Sequence, residues 1–284
     1  MTEIAYLKTG RTAVITGGAS GIGLAAARRF ADMGMKVVIA DLEEGALLKA
    51  AATISDGSPG KPEILTVRAD VSHREDVDRL KERVYATFGE VGIFMNNAGT
   101  GPGGGPFDRY DRWQHVLGVN LWGVINGIHA FAPAMIAQGT PAAIVCTGSK
   151  QGITLPPGDA AYNVSKAGVK AATEALQHTL RNTAGGRVNA HLLIPGWTFT
   201  GLTARSGGEK PAGAWWPDQV VDFLLEGLGR GEFYILCPDN EVTRDIDNHR
   251  IAWAAGDIVE NRPPLSRWHP DYKEAFAEFL AKPL

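Results

Sequence analysis

Seven short apolar runs recur along the chain, at Thr12–Thr16, Lys36–Ala40, Ile64–Arg68, Gly92–Asn96, Ala143–Thr147, Val188–Ile194 and Phe233–Leu236. Segments of helical length separate most of them. The runs are rich in β-branched residues and apolar on both faces, which suits strands covered by helices on both sides. Parallel neighbours need crossovers of about this length. The alternation therefore predicts a Rossmann-like, doubly wound parallel α/β sheet flanked by helices, as one domain over residues 1–284.

Polar positions sharpen the crossovers. From Gly21 to Met33, Ile22, Ala25, Ala26, Phe30 and Met33 recur at helical spacing while Arg28 and Asp32 face the other way, which predicts the first crossover helix. A second segment reads as helix from Tyr162 to about Asn182. Residues 101–106 and 201–213, rich in Gly, Pro and Ser, read as mobile loops, and residues 201–216 are expected to lie over a substrate site. Beyond Cys237 the periodicity fades. Residues 238–284 are predicted as a tail with one short final helix, around Asp271 to Ala281, lying on the surface, wrapping a neighbour or covering the pocket.

Composition narrows the partners. A chain of 284 residues with net charge −3 and no Lys/Arg run has no electrostatic attraction for nucleic acid or an anionic membrane surface, leaving a small molecule as the expected partner. Met1 to Lys8 lacks the features of a signal peptide, and no apolar run stands out as membrane-spanning, so a cytoplasmic protein is expected. Cys146 and Cys237 sit in strand-like runs and read as buried thiols. No metal is expected, since the seven histidines lack ligand spacing.

The first strand runs into Thr16-Gly17-Gly18-Ala19-Ser20-Gly21-Ile22-Gly23, a strand-turn-helix junction whose glycines permit a helix N-terminus to approach a pyrophosphate. The second strand ends at Asp41, followed by Leu42. A carboxylate there can accept hydrogen bonds from both hydroxyls of an adenosine ribose and would repel a 2′-phosphate, which favours NAD over NADP. Neither Ser20 nor Leu42 supplies a compensating positive charge. On the same predicted carboxyl edge, Asp70-Val71 and Asn97-Ala98-Gly99 are candidates for the adenine and ribose, although a plain strand-end turn would also explain them.

Tyr162 and Lys166 lie four residues apart on one predicted helix face. A phenol titrates near ~10, and a nearby cation stabilises its phenolate, so such a pair can carry a proton. Ser149 ends the strand Ala143–Thr147 on the same edge, where its hydroxyl can bond an oxygen passing between alcohol and carbonyl.

Together these ordered motifs resemble the short-chain dehydrogenase/reductase family, through Thr200. The matches are Thr16-Gly17-x-x-x-Gly21-x-Gly23, Asp70, Asn96-Asn97-Ala98-Gly99, Asn120, Ser149, Tyr162-x-x-x-Lys166 and Pro195-Gly196 followed by Thr198 and Thr200. The resemblance implies that Tyr162 exchanges the hydroxyl proton, Ser149 steadies the substrate oxygen, and Lys166 binds the nicotinamide ribose while depressing the Tyr162 pKa. It implies further that Asn120 positions a water in a proton relay and that Pro195, Gly196, Thr198 and Thr200 orient the nicotinamide. Family members use the helices around Asn120 and Tyr162 as oligomer contacts, so a homo-oligomer, dimer or tetramer, is expected.

The reading is an NAD-dependent oxidoreductase that interconverts a secondary alcohol and a ketone. Gln151, Ile153 and Trp197, with Trp215, Trp216 and Phe199 nearby, suggest a hydrophobic, cyclic or aromatic substrate, while Arg205 leaves an anionic one open. Two alternatives stand beside it: an epimerase or dehydratase that uses NAD without net turnover, and a catalytically idle nucleotide-binding scaffold.

Overall fold

A computed structural model describes residues 4–58, 60–183, 185–204 and 208–284. Seven parallel strands, β1 (Thr12–Thr16), β2 (Lys36–Asp41), β3 (Ile64–Arg68), β4 (Ile93–Asn96), β5 (Ala142–Thr147), β6 (Val188–Ile194) and β7 (Tyr234–Leu236), pair in the order β3-β2-β1-β4-β5-β6-β7. Each lies within a residue of its predicted bounds. Strand order reverses between β1 and β4, which opens a crevice outside their carboxyl ends, the usual ligand position in such sheets.

The connections are α1 (Gly21–Asp32), α2 (Glu44–Gly57), α3 (Arg74–Phe88), α4 (Tyr110–Leu117), α5 (Gly123–Ala137), α6 (Gln151–Thr154), α7 (Ala160–Thr183) and α8 (Pro217–Arg230). Alternate side chains of each strand feed two cores. Val14, Val38 and Phe94 meet α3, α5 and α7 through Leu80, Phe131 and Val169. Ile15, Ile39 and Met95 meet α1, α2 and α8 through Phe30, Leu47 and Leu224. Both faces of the sheet are thus covered, which is why its strands read as continuous apolar runs rather than alternating ones.

Helices α4 and α5 are joined by a π-helical turn, Gly118–Trp122, that carries Asn120. The continuous run Tyr110–Ala137 is long and apolar enough to cross a membrane by length and composition, contrary to the expectation that no apolar run would be. Its Val116, Val124, Phe131 and Met135 are buried among core side chains instead. Apolar length alone does not separate a core helix from a membrane span.

The chain after Cys237 departs most from expectation. It contains α9 (Arg244–Val259) as well as a short final helix, α10 (Lys273–Leu280), with two 3-10 turns between them. Thr243 caps α9 by accepting the Ile246 N–H at 3.3 Å. The helix buries Asp247, His249 and Trp253, and Trp253 packs edge-on against Phe276 and Phe279 of α10. Two of its three buried positions are polar, so apolar periodicity could not find it.

Candidate active site

The carboxyl ends of β1, β4 and β5 are stitched together before any ligand is considered. Thr16 Oγ1 accepts the N–H groups of Asn97 and Ala98 at 2.9 and 3.2 Å. Asn97 Nδ2 donates to the Thr16 carbonyl at 3.1 Å, and Thr147 Oγ1 donates to Asn97 Oδ1 at 3.1 Å. The side chain of Asn97 therefore joins three strand ends, a role for which Thr16 and Thr147 carried no separate signal.

After β1 the turn requires glycine for two reasons. Gly17 has φ of +64° and its α-carbon leaves no room beside the Ala98 backbone, where a Cβ would sit 2.9 Å from Cα. At Gly23 a Cβ would lie 2.1 Å from the Gly17 carbonyl oxygen, so the first turn of α1 can close on the loop only without a side chain. Ser20 occupies the N-cap position of α1, with Gly21, Ile22 and Gly23 forming its first turn. The result is a helix N-terminus facing a backbone-lined hollow, which suits a pyrophosphate.

Asp41 ends β2 beside this turn. Its Oδ2 accepts the Ala19 N–H at 3.1 Å and its Oδ1 the Leu42 N–H at 2.8 Å, so the carboxylate braces the glycine loop. Arg68 stands opposite Asp41 in the β2–β3 register, and its Nε donates to the Leu42 carbonyl at 3.2 Å. A basic side chain is thus next to Asp41, supplied by a neighbouring strand rather than by Ser20 or Leu42. Asp70 Oδ1 accepts both the N–H and the hydroxyl of Ser72, at 2.9 and 2.6 Å. Burial pushes the Asp70 carboxyl up, but the Ser72 bonds and His73 bring it below its ordinary value. Val71 is buried and its carbonyl accepts Asn126 Nδ2 at 2.9 Å.

Tyr162 and Lys166 share one face of α7, as predicted. Ser149 follows β5, and its hydroxyl lies close enough to the Tyr162 hydroxyl to pull the phenol downward. Ser149 Oγ also accepts the Gln151 N–H at 3.2 Å. The Lys166 ammonium, 4% exposed, donates to the Thr147 carbonyl at 2.8 Å and lies 5.7 Å from the Tyr162 ring centroid. Burial pulls this ammonium down to about 8.

The phenol does not follow the predicted downward shift. Burial pushes Tyr162 above its ordinary value, the Ser149 bond pulls it back, and Asp159 pushes it up again. Lys166 reaches the ring rather than the hydroxyl and is itself disfavoured by desolvation, so its charge does not overcome these effects.

Asn120 is fully buried, and its side chain is already engaged. Oδ1 accepts the Thr100 N–H at 2.7 Å, while Nδ2 donates to the Thr100 carbonyl at 2.9 Å and to Ser165 Oγ at 3.1 Å. It clamps the end of the Asn97-Ala98-Gly99-Thr100 turn onto α7. A Cβ at Gly99 would lie 3.5 Å from Asn120 Oδ1 and 3.6 Å from Lys166 Nζ, so turn, Asn and Lys converge on one point.

The first glycine-rich stretch is held in place. Asp159 Oδ1 accepts the N–H groups of Gly103 and Gly104, each at 3.0 Å, and that of Tyr162 at 3.2 Å, so one carboxylate pins the 101–106 loop to the start of α7. Sequence reading missed Asp159 because a lone Asp before a helix looks like an ordinary cap. Thr198 bridges Trp215, and the Phe199 N–H donates to the Trp215 carbonyl at 2.8 Å, which anchors the end of the 201–216 segment. Arg205 lies outside the described residues. Thr198 is buried, and Thr200 Cγ2 sits 3.2 Å from where a Gly21 Cβ would be, so the segment after Pro195 and Gly196 returns to the glycine turn.

The predicted substrate residues divide. Trp197 is 42% exposed and Gln151 is exposed, whereas Ile153 is partly buried against the core. Leu202 approaches Tyr162 across Gly101: a Cβ there would meet Tyr162 Cδ2 at 3.5 Å and Leu202 Cδ1 at 3.6 Å. Trp216 packs edge-on against Phe199 at 5.6 Å and is itself half exposed. Among the described residues no His, Cys, Asp and Glu group could hold a metal. His191 and His249 are buried and bonded to backbone carbonyls.

Comparison with known proteins agrees with this arrangement. The short chain dehydrogenase family matches residues 11–210. A 1-deoxy-11-beta-hydroxypentalenate dehydrogenase of Streptomyces exfoliatus is 33% identical over 272 residues, covering 93% of this chain and 95% of its own. A 3beta-hydroxysteroid dehydrogenase 2 of Eggerthella lenta is 35% identical over 195 residues, covering 68% and 73%. Among solved structures, a short chain dehydrogenase/reductase from Burkholderia phymatum in complex with NAD superposes with a TM-score of 0.81 at 33% identity, covering 93% of this chain and 98% of that one.

Proposed function

The chain belongs to the short-chain dehydrogenase/reductase family and is an oxidoreductase that interconverts an alcohol and a ketone with a nicotinamide cofactor; from that premise we propose that it is NAD-dependent, acts on a hydrophobic cyclic or aromatic secondary alcohol or its ketone, and uses Tyr162 as general acid and base. One observation carries the reading: Tyr162, Ser149 and Lys166 meet at the ends of β5 and α7, on the sheet edge that carries the glycine turn. The residues fit a dinucleotide because Gly17 and Gly23 let the turn after β1 close tightly on the first turn of α1, which presents a helix N-terminus to a pyrophosphate.

In oxidation the substrate hydroxyl gives its proton to the Tyr162 phenolate while Ser149 holds the same oxygen by a hydrogen bond. A nicotinamide, when bound, would supply the hydride acceptor for oxidation and the hydride donor for reduction. Lys166 binds the nicotinamide ribose, and its charge favours the phenolate over the phenol as the proton moves. Asn120 holds the Thr100 turn over Lys166 through its side chain, which leaves the proton relay to its backbone and to water. Gly17, Ser20, Gly21, Ile22 and Gly23 receive the pyrophosphate, with Asp41, Leu42, Asp70, Val71, Asn97, Ala98 and Gly99 along the adenosine. Pro195, Gly196, Thr198 and Thr200 face the nicotinamide. Gln151, Ile153 and Trp197, joined by Leu202, bound the substrate.

Support for an apolar substrate comes from Leu202, which approaches Tyr162 across Gly101, and from the exposed Trp197 and Trp216 in the segment after Gly196. The small-molecule enzyme is further proposed to be a cytoplasmic homo-oligomer, dimer or tetramer. The exposed Trp122 and Val164, beside α5 and on α7, supply apolar surface for such contacts, and Cys146 and Cys237 remain as thiols.

A panel of secondary alcohols and ketones, each offered with NAD and NADP while nicotinamide absorbance is followed, tests the reading. NAD should give the higher kcat/KM on hydrophobic members. Asp41→Ala should narrow that preference by about tenfold or more, because it removes charge-assisted acceptors from the ribose and leaves Arg68 free to attract a 2′-phosphate. A parent enzyme that prefers NADP would overturn the assignment of Asp41.

A further inference from the structure

The family match ends at residue 210, yet the chain beyond it returns to the reaction site. Lys150, the residue after Ser149, extends its ammonium between two carboxylates: Asp247 Oδ2 of α9 at 2.6 Å and Asp239 Oδ2 at 3.4 Å. The side chains of Lys150, Asp239 and Asp247 are 17, 6 and 5% exposed, so solvent screens them little. Asp239 also accepts the Trp197 N–H at 3.2 Å through the same oxygen, while its Oδ1 accepts the Val242 N–H at 2.8 Å. Between them lies Gly196, where a Cβ would fall 2.8 Å from Asp239 Oδ2 and 3.0 Å from Lys150 Nζ. A side chain here would also meet the Pro238 carbonyl at 3.0 Å, so glycine lets the ionic cluster and this loop approach closely.

These contacts join three segments. Lys150 stands at the N-cap of α6, and its carbonyl accepts the N–H groups of Ile153 and Thr154 at 3.1 Å. The same turn directs the Gln151 N–H to Ser149 Oγ. Holding the Lys150 side chain therefore holds the turn that aims Ser149 at Tyr162. Holding Asp239 fixes the backbone at Trp197, in the segment after Pro195 and Gly196.

We propose that Asp247, together with Lys150 and Asp239, is a positioning cluster through which the C-terminal helix α9 sets Ser149 and the Pro195-Gly196-Trp197 segment for hydride transfer. The claim rests on the oxidoreductase reading and adds to it: the last part of the chain is a component of the site. A buried carboxylate that loses its cation, or the reverse, is left with an uncompensated charge, so each partner depends on the others.

The test uses the full-length protein and three substitutions. Asp247→Asn keeps the side-chain volume and one carbonyl acceptor, Asp247→Ala removes both, and Lys150→Met removes the shared cation. In the folded variants, amide hydrogen exchange at Gln151 and Trp197 should quicken about tenfold or more for Asp247→Ala and Lys150→Met, and less for Asp247→Asn. Turnover should fall in the same order, by about tenfold or more in kcat, with KM for NAD changing less. Combining Asp247→Ala with Lys150→Met removes a carboxylate and a cation together, so the double variant should be no slower than the poorer single. Unchanged exchange, or kcat losses that multiply in the double variant, would overturn the proposal. A parent protein that transfers no hydride would instead reject the oxidoreductase reading, while the exchange measurement, which needs no substrate, still decides the positioning claim. Should Asp247→Ala not fold, Asp247→Asn and Lys150→Met carry the comparison.

Discussion

Replacement of Tyr162 by Phe should lower kcat by about 10²- to 10⁴-fold while leaving the Kd for NAD close to that of the parent. The substitution deletes one oxygen. It keeps the ring that Lys166 approaches at 5.7 Å, and it leaves the glycine turn and Asp41 untouched. What is lost is the proton carrier and the partner of Ser149. The direction of the pH dependence follows from the same group. Burial and Asp159 hold the phenol above its ordinary value against the pull of the Ser149 bond. Oxidation needs the group as acceptor and reduction needs it as donor, so raising the pH should speed oxidation and slow reduction. Retention of parental kcat by the Phe variant would remove Tyr162 from the mechanism.

Replacement of Lys166 by Met should separate activity from stability. Turnover should fall by about 10²-fold or more, with weaker NAD binding, since the proposed mechanism gives the cation both the proton transfer and the ribose. Stability at pH 7 should hold or rise. Burial takes the Lys166 ammonium from 10.5 down to about 8, a cost of roughly 3 kcal/mol for keeping it charged in the fold. Below pH 8 the side chain is protonated in both folded and unfolded chains, and this cost is fully present. Between pH 8 and 10.5 the folded chain releases its proton first, so the parent gains stability as pH rises through that window. Met carries no such cost, and the lost bond to the Thr147 carbonyl offsets about 1 kcal/mol of the gain. Denaturant midpoints of parent and variant at pH 7 and 10 measure the difference, which should shrink at the higher pH. A variant clearly less stable than the parent at pH 7 would contradict the burial cost assigned to Lys166.

The two predictions share an origin in where side chains lie relative to water. Burial of an ammonium costs stability, and perturbed charges of this kind cluster at functional sites. Asn120 and Asp159 fix the two loops that meet the start of α7. One clamps Thr100 from the π-helical turn; the other clamps Gly103 and Gly104 from the start of α7. Backbone rather than flexible side chain is thereby brought against the reacting groups.

Much of this was legible in the chain because the relevant pattern is local. Strands buried on both faces must be apolar throughout, so β1 to β6 announced themselves within a residue. Gly17, Gly21 and Gly23 mark a turn whose geometry excludes other residues, and Tyr162 and Lys166 declare their shared face by spacing alone. Long-range partnerships left no comparable trace. Helix α9 buries Asp247 and His249, whose burial is made possible by Lys150, 97 positions earlier in the chain for Asp247, and by the Lys282 carbonyl. The basic neighbour of Asp41 arrives from β3 by register, so Arg68 could not be found by inspecting the glycine motif. Loops rich in glycine looked mobile, yet Asp159 shows that exposed N–H groups and absent side chains equally permit tight anchoring.

Transfer of deuterium from the carbinol carbon of a hydrophobic secondary alcohol to NAD tests the central claim most directly. The parent enzyme should yield reduced nicotinamide carrying the label, together with one equivalent of ketone, and the Tyr162→Phe variant should yield almost none in the same time. Conversion of the alcohol with no label in the reduced cofactor, or equal labelling by parent and variant, would contradict the account.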